Sequence, residues 1–125
     1  MAKSQAGAIQ WLTEVEEHDY PAADSYLRLL YPEDQVARLL TGLRAASVAP
    51  FKAKDILRAS QLSPLGISNL RVERDRKKIE KGQGLSPLLL VRDEAHGRVV
   101  IADGYHRLCA VYSLDEDAWI PCKII

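Results

Sequence analysis

Cysteine is scarce in this 125-residue chain, limited to Cys109 and Cys122, and no Cys-x-x-Cys pair occurs. Zinc-ribbon and thioredoxin-like chemistry therefore lack their ligands and nucleophiles. Two reduced, buried thiols are expected instead. Charge of one sign is not in excess either, since 17 basic and 17 acidic residues give a formal net charge of zero. That balance argues against general nucleic-acid binding and leaves local patches open. No apolar run approaches the length of a membrane span, and no internal repeat or low-complexity segment is present. Met1-Ala2-Lys3-Ser4 leads into polar residues, so no signal peptide is expected. The reading is a cytoplasmic protein with no membrane partner.

What the chain does have is apolar mass. Hydrophobic residues make up 47% of it, and a chain of this size buries roughly two thirds of its unfolded surface. One domain is expected, with a helical extension. The two parts differ in charge. Residues 1–50 hold seven acids and four bases, net −3, and residues 51–125 hold ten acids and thirteen bases, net +3.

Before Pro50 the apolar spacing is helical. Ile9, Leu12 and Val15 predict a helix over 4–18, with Ser4 as its cap. Glu14 and His18 stand four apart in it, a spacing open to a metal ion; with no further ligand indicated, no metal site is assigned and His18 reads as surface. Pro21 opens a second helix and Pro32 a third, with Val36, Leu39, Leu40 and Leu43 as the apolar stripe of the third. Such stripes belong to a core or to a homodimer through these helices.

After Pro50 the pattern changes. Phe51 to Leu57 alternates at first and predicts a strand, and residues 58–67 a loop. A helix is expected at 68–81, capped by Ser68 or Asn69. Its Arg71, Arg74, Arg76, Lys77, Lys78 and Lys81 face three acids. They form either a solvated face or a phosphate-facing surface. Leu88–Val91 and Arg98–Ala102 predict two strands joined by a hairpin. Leu88, Leu90, Val100, Leu108, Val111 and Ile124 are the expected core. Trp119–Ile125 predicts a last strand, placed at an edge or a bulge by Pro121.

The chain is organised around Ile101-Ala102-Asp103-Gly104-Tyr105-His106-Arg107. It reads as a strand end, a one-glycine turn and the first turn of a helix. His106 and Arg107 fall where the helix dipole is already positive, and an anion would relieve that conflict. Asp103 as an ordinary cap and His106-Arg107 as solvated surface is the plainer alternative.

This stretch resembles the nucleotide-binding box of the ParB/sulfiredoxin superfamily, with its Gly-x-x-Arg or Gly-x-His-Arg turn. The segments GLSPLLLVRD, GRVVIADGYHRLCAVYSL and WIPCKII follow one another as in that family. The likeness covers residues 84–125 well and 51–83 more loosely, and is nearest to small uncharacterised bacterial members. It implies an α+β fold: a ParB/sulfiredoxin-like mixed-sheet domain at 51–125, preceded by a helical extension at 1–50. It also implies a nucleotide-phosphate site at Gly104, Tyr105, His106 and Arg107, with Ser86 and Pro87 as the far wall. The sulfiredoxin nucleophile is absent, because Tyr105 stands where that family has cysteine. No helix-turn-helix segment follows the box, so operator binding of the partitioning type is not expected.

The expected function is nucleotide binding, as a hydrolase or phosphotransferase with ATP or CTP and Mg²⁺ as candidate ligands. Arg107 would pair with phosphate and His106 would donate to it. Asp103 is the candidate catalytic residue, holding Mg²⁺ or accepting a proton. The alternatives are a non-catalytic regulatory or protein-interaction domain and, third, a nuclease-like DNA-binding protein, although no clustered carboxylates for two metals are visible.

Overall fold

A run such as Leu88-Leu89-Leu90-Val91 has no polar residue to turn outward, so its strand needs cover on both faces. The computed structural model describes residues 9–66 and 68–125 and supplies that cover. Its elements are α1 (Asp19–Leu27), α2 (Glu33–Ala45), β1 (Ala49–Lys52), α3 (Ala53–Ser60), α4 (Leu70–Glu80), β2 (Leu88–Asp93), β3 (Arg98–Asp103), α5 (Tyr105–Leu114) and β4 (Trp119–Ile124). A 3₁₀ turn, Glu94–His96, joins β2 to β3. The four strands form one mixed sheet in the order β1-β4-β2-β3. β2 is antiparallel to β3 and parallel to β4, and β4 is antiparallel to β1.

Alternate residues of the central strands feed two cores. Leu88, Leu90, Ile101, Ile120 and Cys122 pack with Ile56 and Leu57 of α3, Val72 and Ile79 of α4, and Leu108 and Val111 of α5. Leu89, Val91, Val100 and Ala102 pack with Tyr20, Ala23 and Leu27 of α1 and Val36 and Leu43 of α2. The result is an α+β protein with helices on both faces of the sheet. The stripe of α2 thus turns inward, with Leu39 and Leu40 partly buried against the same cluster. Of the expected core, Leu88, Leu90, Val100, Leu108 and Val111 are buried, and Ile124 is only partly so.

Several local expectations give way to tertiary contacts. Residues 9–18 form no helix, and residues 4–8 lie outside the described part. Trp11 instead makes a parallel bridge with Leu85, where the Leu12 N–H donates to Leu85 O at 2.8 Å and the Leu85 N–H to Gln10 O at 2.9 Å. Those backbone groups are then not free for helical bonds. The helix begins at Asp19, with Pro21 in its first turn, where a proline is tolerated.

The strand at Phe51 stops at Lys52. Ala53, Ile56, Leu57 and Ser60, all buried, recur at i, i+3, i+4 and i+7, and that period wins as α3. β4 is interior, not an edge. Pro121 is tolerated there because it faces Pro50 across β1, and the parallel pairing with β2 begins only at Cys122. Of the two expected caps, Ser68 and Asn69, it is Asn69 that caps α4, accepting from the Arg71 and Val72 N–H groups. Among the described residues, no helix is long and apolar enough to cross a membrane.

Cys109 and Cys122 are both buried and free. Burial pushes the Cys122 thiol up to about 12. It also raises that of Cys109, opposed by the Leu65 N–H that donates to its Sγ at 3.4 Å. Both thiols are expected to resist a thiol reagent in the native protein and to react quickly on unfolding. Fast native labelling of Cys109 would contradict this burial.

A fragment spanning 48–125 would bare Leu89, Val91, Val100 and Ala102 to water, at roughly 1.5–3 kcal/mol for each large side chain. It is expected to unfold or aggregate, read by far-UV circular dichroism and size exclusion. A monomeric fragment with a sheet spectrum would show that residues 51–125 fold alone.

Candidate functional site

β3 ends at Asp103 and α5 begins at Tyr105, so one residue must turn the chain. Gly104 does so at φ +108°. A Cβ there would lie 2.7 Å from Leu88 Cγ and 3.0 Å from Arg107 Nη2, so both backbone conformation and space require glycine. No side chain caps this helix end. Its first intrahelical bond is Leu108 N–H to Gly104 O, which leaves the N–H groups of Tyr105, His106 and Arg107 without a helical acceptor.

Arg107 is not the unpaired cation that its position in the sequence suggests. Its Nη2 lies 3.1 Å from Asp103 Oδ2, 3.3 Å from Asp19 Oδ2 and 3.4 Å from Pro87 O. The Arg107 side chain is 16% exposed, against 5% for Asp19 and 19% for Asp103. The Nε of Arg107 is buried with no hydrogen-bond partner. The dipole conflict is therefore answered within the chain, by two carboxylates on one nitrogen. Burial pushes the Asp103 carboxyl above its usual range; Arg107 pulls it back, and Asp19 adds to the rise.

Two adjoining spaces meet at Asp103, Gly104 and His106. A recess of about 280 Å³ is lined by His18, Arg71, Arg74, Asp75, Lys78 and Arg107 besides these three. A larger cleft of about 420 Å³ adjoins it, with Tyr26, Leu30, Leu62 and Tyr105 in its lining. Arg71 lines both. His106 is held below its usual range by burial and by Arg71, against Asp75. The Asp75 carboxyl is raised by burial and drawn down by Arg107, Lys78, His106 and Arg74.

Asp103, Gly104, Tyr105, His106 and Arg107 thus gather at one place. Tyr105 turns its hydroxyl away from the recess and donates to Ser63 O. Ser86 and Pro87 play different parts from those expected. The buried Ser86 hydroxyl accepts the Glu16 N–H at 3.0 Å. Pro87 contributes its carbonyl to Arg107.

The sequence reading did not assign Asp19, which is 84 positions before Asp103 and looks like part of an acidic surface run. It also left Arg71, Arg74 and Lys78 undecided between solvent and phosphate, although their i, i+3, i+7 spacing puts them on one face. Glu14 and His18 do not pair on a helix. Among the described residues, Glu16, His18 and Asp19 bring donor atoms within 4.8 Å of one another and could hold a metal ion. Each contact is equally an ordinary ion pair, with His18 Nε2 3.3 Å from Asp19 and 3.8 Å from Glu16.

Arg107→Met would leave the buried Asp19 and the partly buried Asp103 facing each other without a cation. A loss of about 3–5 kcal/mol is expected, measured by urea unfolding. A folded pKa above the unfolded one gives stability that is full below the unfolded value and lost as pH rises through the folded one. Removing the cation raises the Asp103 pKa further, so the deficit is smallest in acid and grows toward neutrality. Adding Asp19→Asn should recover part of it. An Arg107→Met protein as stable as the parent would show that these contacts contribute nothing.

Comparison with protein-family models, with curated proteins and with solved structures finds no match, so the chain's own geometry carries the functional reading.

Proposed function

We propose that this protein binds a nucleotide, with phosphate in the cationic recess and the nucleoside in the adjoining cleft. The observation that carries the reading is the convergence of Arg71, Arg74, Lys78, Arg107 and His106 on one recess at the uncapped start of α5. Free N–H groups and the positive end of the helix favour an anion there. The cleft beside it can take a base, with Tyr26 and Tyr105 among its lining residues. The resemblance of Gly104-Tyr105-His106-Arg107 to the ParB/sulfiredoxin box points the same way.

In the enzymatic form of this reading, Asp103 stands between phosphate and nucleoside and accepts a proton or holds Mg²⁺. Burial raises the proton affinity of this carboxylate, which suits a general base. A hydrolase or phosphotransferase would use it so, with ATP or CTP as candidate substrates. A second reading, a non-catalytic protein-interaction domain, is favoured by the exposed Tyr26, Leu29, Leu30 and Leu62.

The test is a thermal-shift series with ATP, ADP, CTP, CDP and GTP, with and without Mg²⁺. At least one should raise the unfolding midpoint through linkage. Lys78→Ala should weaken that ligand by about 1.5–3 kcal/mol, the range for a charge-assisted hydrogen bond. Burial and Arg71 hold His106 below its usual range, and a phosphate beside it would draw it back toward its charged form. Binding should therefore take up protons and tighten as pH falls through the range in which His106 becomes charged. His106→Asn should flatten that dependence. A midpoint unmoved by every nucleotide would leave the interaction-domain reading.

A further inference from the structure

The recess is one end of a longer cationic strip. At about 100° per residue, Arg71, Arg74 and Lys78 share one face of α4 with Lys81 at its C-cap, and Lys77 borders them. Glu73 and Glu80 lie on the opposite side, and Asp75 is the one acid of α4 beside the strip, at its recess end. Elsewhere among the described residues most bases meet carboxylates, as Arg28 does Asp24, Arg44 Glu17, Lys54 Asp117 and Arg98 Asp93, with Arg92 and Lys123 the exceptions. On α4 only Arg76 does, with Glu73 at 3.9 Å. Arg71, Arg74, Lys77, Lys78 and Lys81 have no ion-pair partner among the described residues.

The helix dipole accounts for lysines in the last turn and not for Arg71 in the first, where a cation is disfavoured. The strip is about 15 Å long at 1.5 Å per residue, more than one phosphate group occupies. It runs from Arg71, which lines both spaces, outward past Lys78, which lines only the recess. Lys77 and Lys81 are exposed and belong to neither space.

We infer that the ligand is the end of a single-stranded nucleic acid, its terminal base in the cleft and its following phosphates along α4. This rests on the nucleotide reading and extends it. The chemistry is that of sequence-tolerant strand binding, in which aromatic side chains meet a base and a row of cations tracks the backbone. Tyr26 and Tyr105 supply the first part and the α4 strip the second. A formal net charge of zero is compatible with it, because the unpaired positive charge is concentrated on one helix face.

The experiment is fluorescence anisotropy on the full chain with labelled single-stranded RNA and DNA of about ten mixed nucleotides. The four nucleoside monophosphates and polyglutamate serve as competitors. An oligonucleotide is expected to bind about tenfold or more tightly than the best monophosphate, with strong salt dependence. Lys77→Ser with Lys81→Ser should weaken the oligonucleotide severalfold. It should reduce the salt slope by about 1.4, for two single-strand phosphate contacts, and leave monophosphate competition unchanged.

Equal affinity for oligonucleotide and monophosphate, or a double variant without effect on the oligonucleotide, overturns the inference and leaves the nucleotide site standing. Oligonucleotide binding that no monophosphate disturbs overturns both. Displacement of the oligonucleotide by polyglutamate at equal charge assigns the strip to acidic proteins instead.

Discussion

A single guanidinium nitrogen ties the two halves of this chain together. Nη2 of Arg107 meets Asp19 from the start of α1, Asp103 from the end of β3 and the carbonyl of Pro87 just before β2. An NH₂ group has two hydrogens for these three acceptors, so the contact is crowded on the acceptor side while Nε next to it stays unpaired. Ions buried this far are costly unless their partners are close, which fixes the approach of α1 to the strand–helix turn. Gly104 belongs to the same constraint. A Cβ there would meet Arg107 and Leu88 together, so a larger residue would disturb the ion pairs and the core at once.

The zero net charge of the chain conceals a division of labour. The acidic first 50 residues, net −3, supply Asp19 to the basic remainder, net +3. Arg107 is neutralised by that donation, whereas Arg71, Arg74 and Lys78 have no ion-pair partner among the described residues. Positive potential at the recess therefore comes mainly from α4, with Arg107 acting as both scaffold and wall. A site of this kind separates two tasks that a lone Gly-x-His-Arg turn would combine. Holding the turn falls to Arg107 and its carboxylates, and attracting an anion falls to the unpaired cations opposite.

Much of the architecture was legible in local pattern. The leucine-valine run of β2, the β-branched run of β3, the turn at Gly104 and the cap at Asn69 all form where their residue types predict. Each is decided by neighbours within a few positions. The failures share one physical cause. Ile9, Leu12 and Val15 have helical spacing, but the backbone at Gln10 and Leu12 bonds to Leu85. Phe51–Leu57 begins with strand alternation and is overruled by the helical burial of Ile56, Leu57 and Ser60. Pro121 reads as an edge residue and lies in an interior strand, because another proline faces it.

By itself the sequence determined the α+β character, the strand–glycine–helix turn and the spacing of cations on α4. These depend on propensity, periodicity and backbone freedom, which act over a handful of residues. Only the tertiary structure decided that α1 and α2 close the second face of the sheet, that Asp19 reaches Arg107, and that α4 turns its bases toward His106. Those outcomes depend on which distant surfaces share a core and which buried charges must find a partner. Neither is encoded at a fixed separation along the chain, so local pattern cannot carry it.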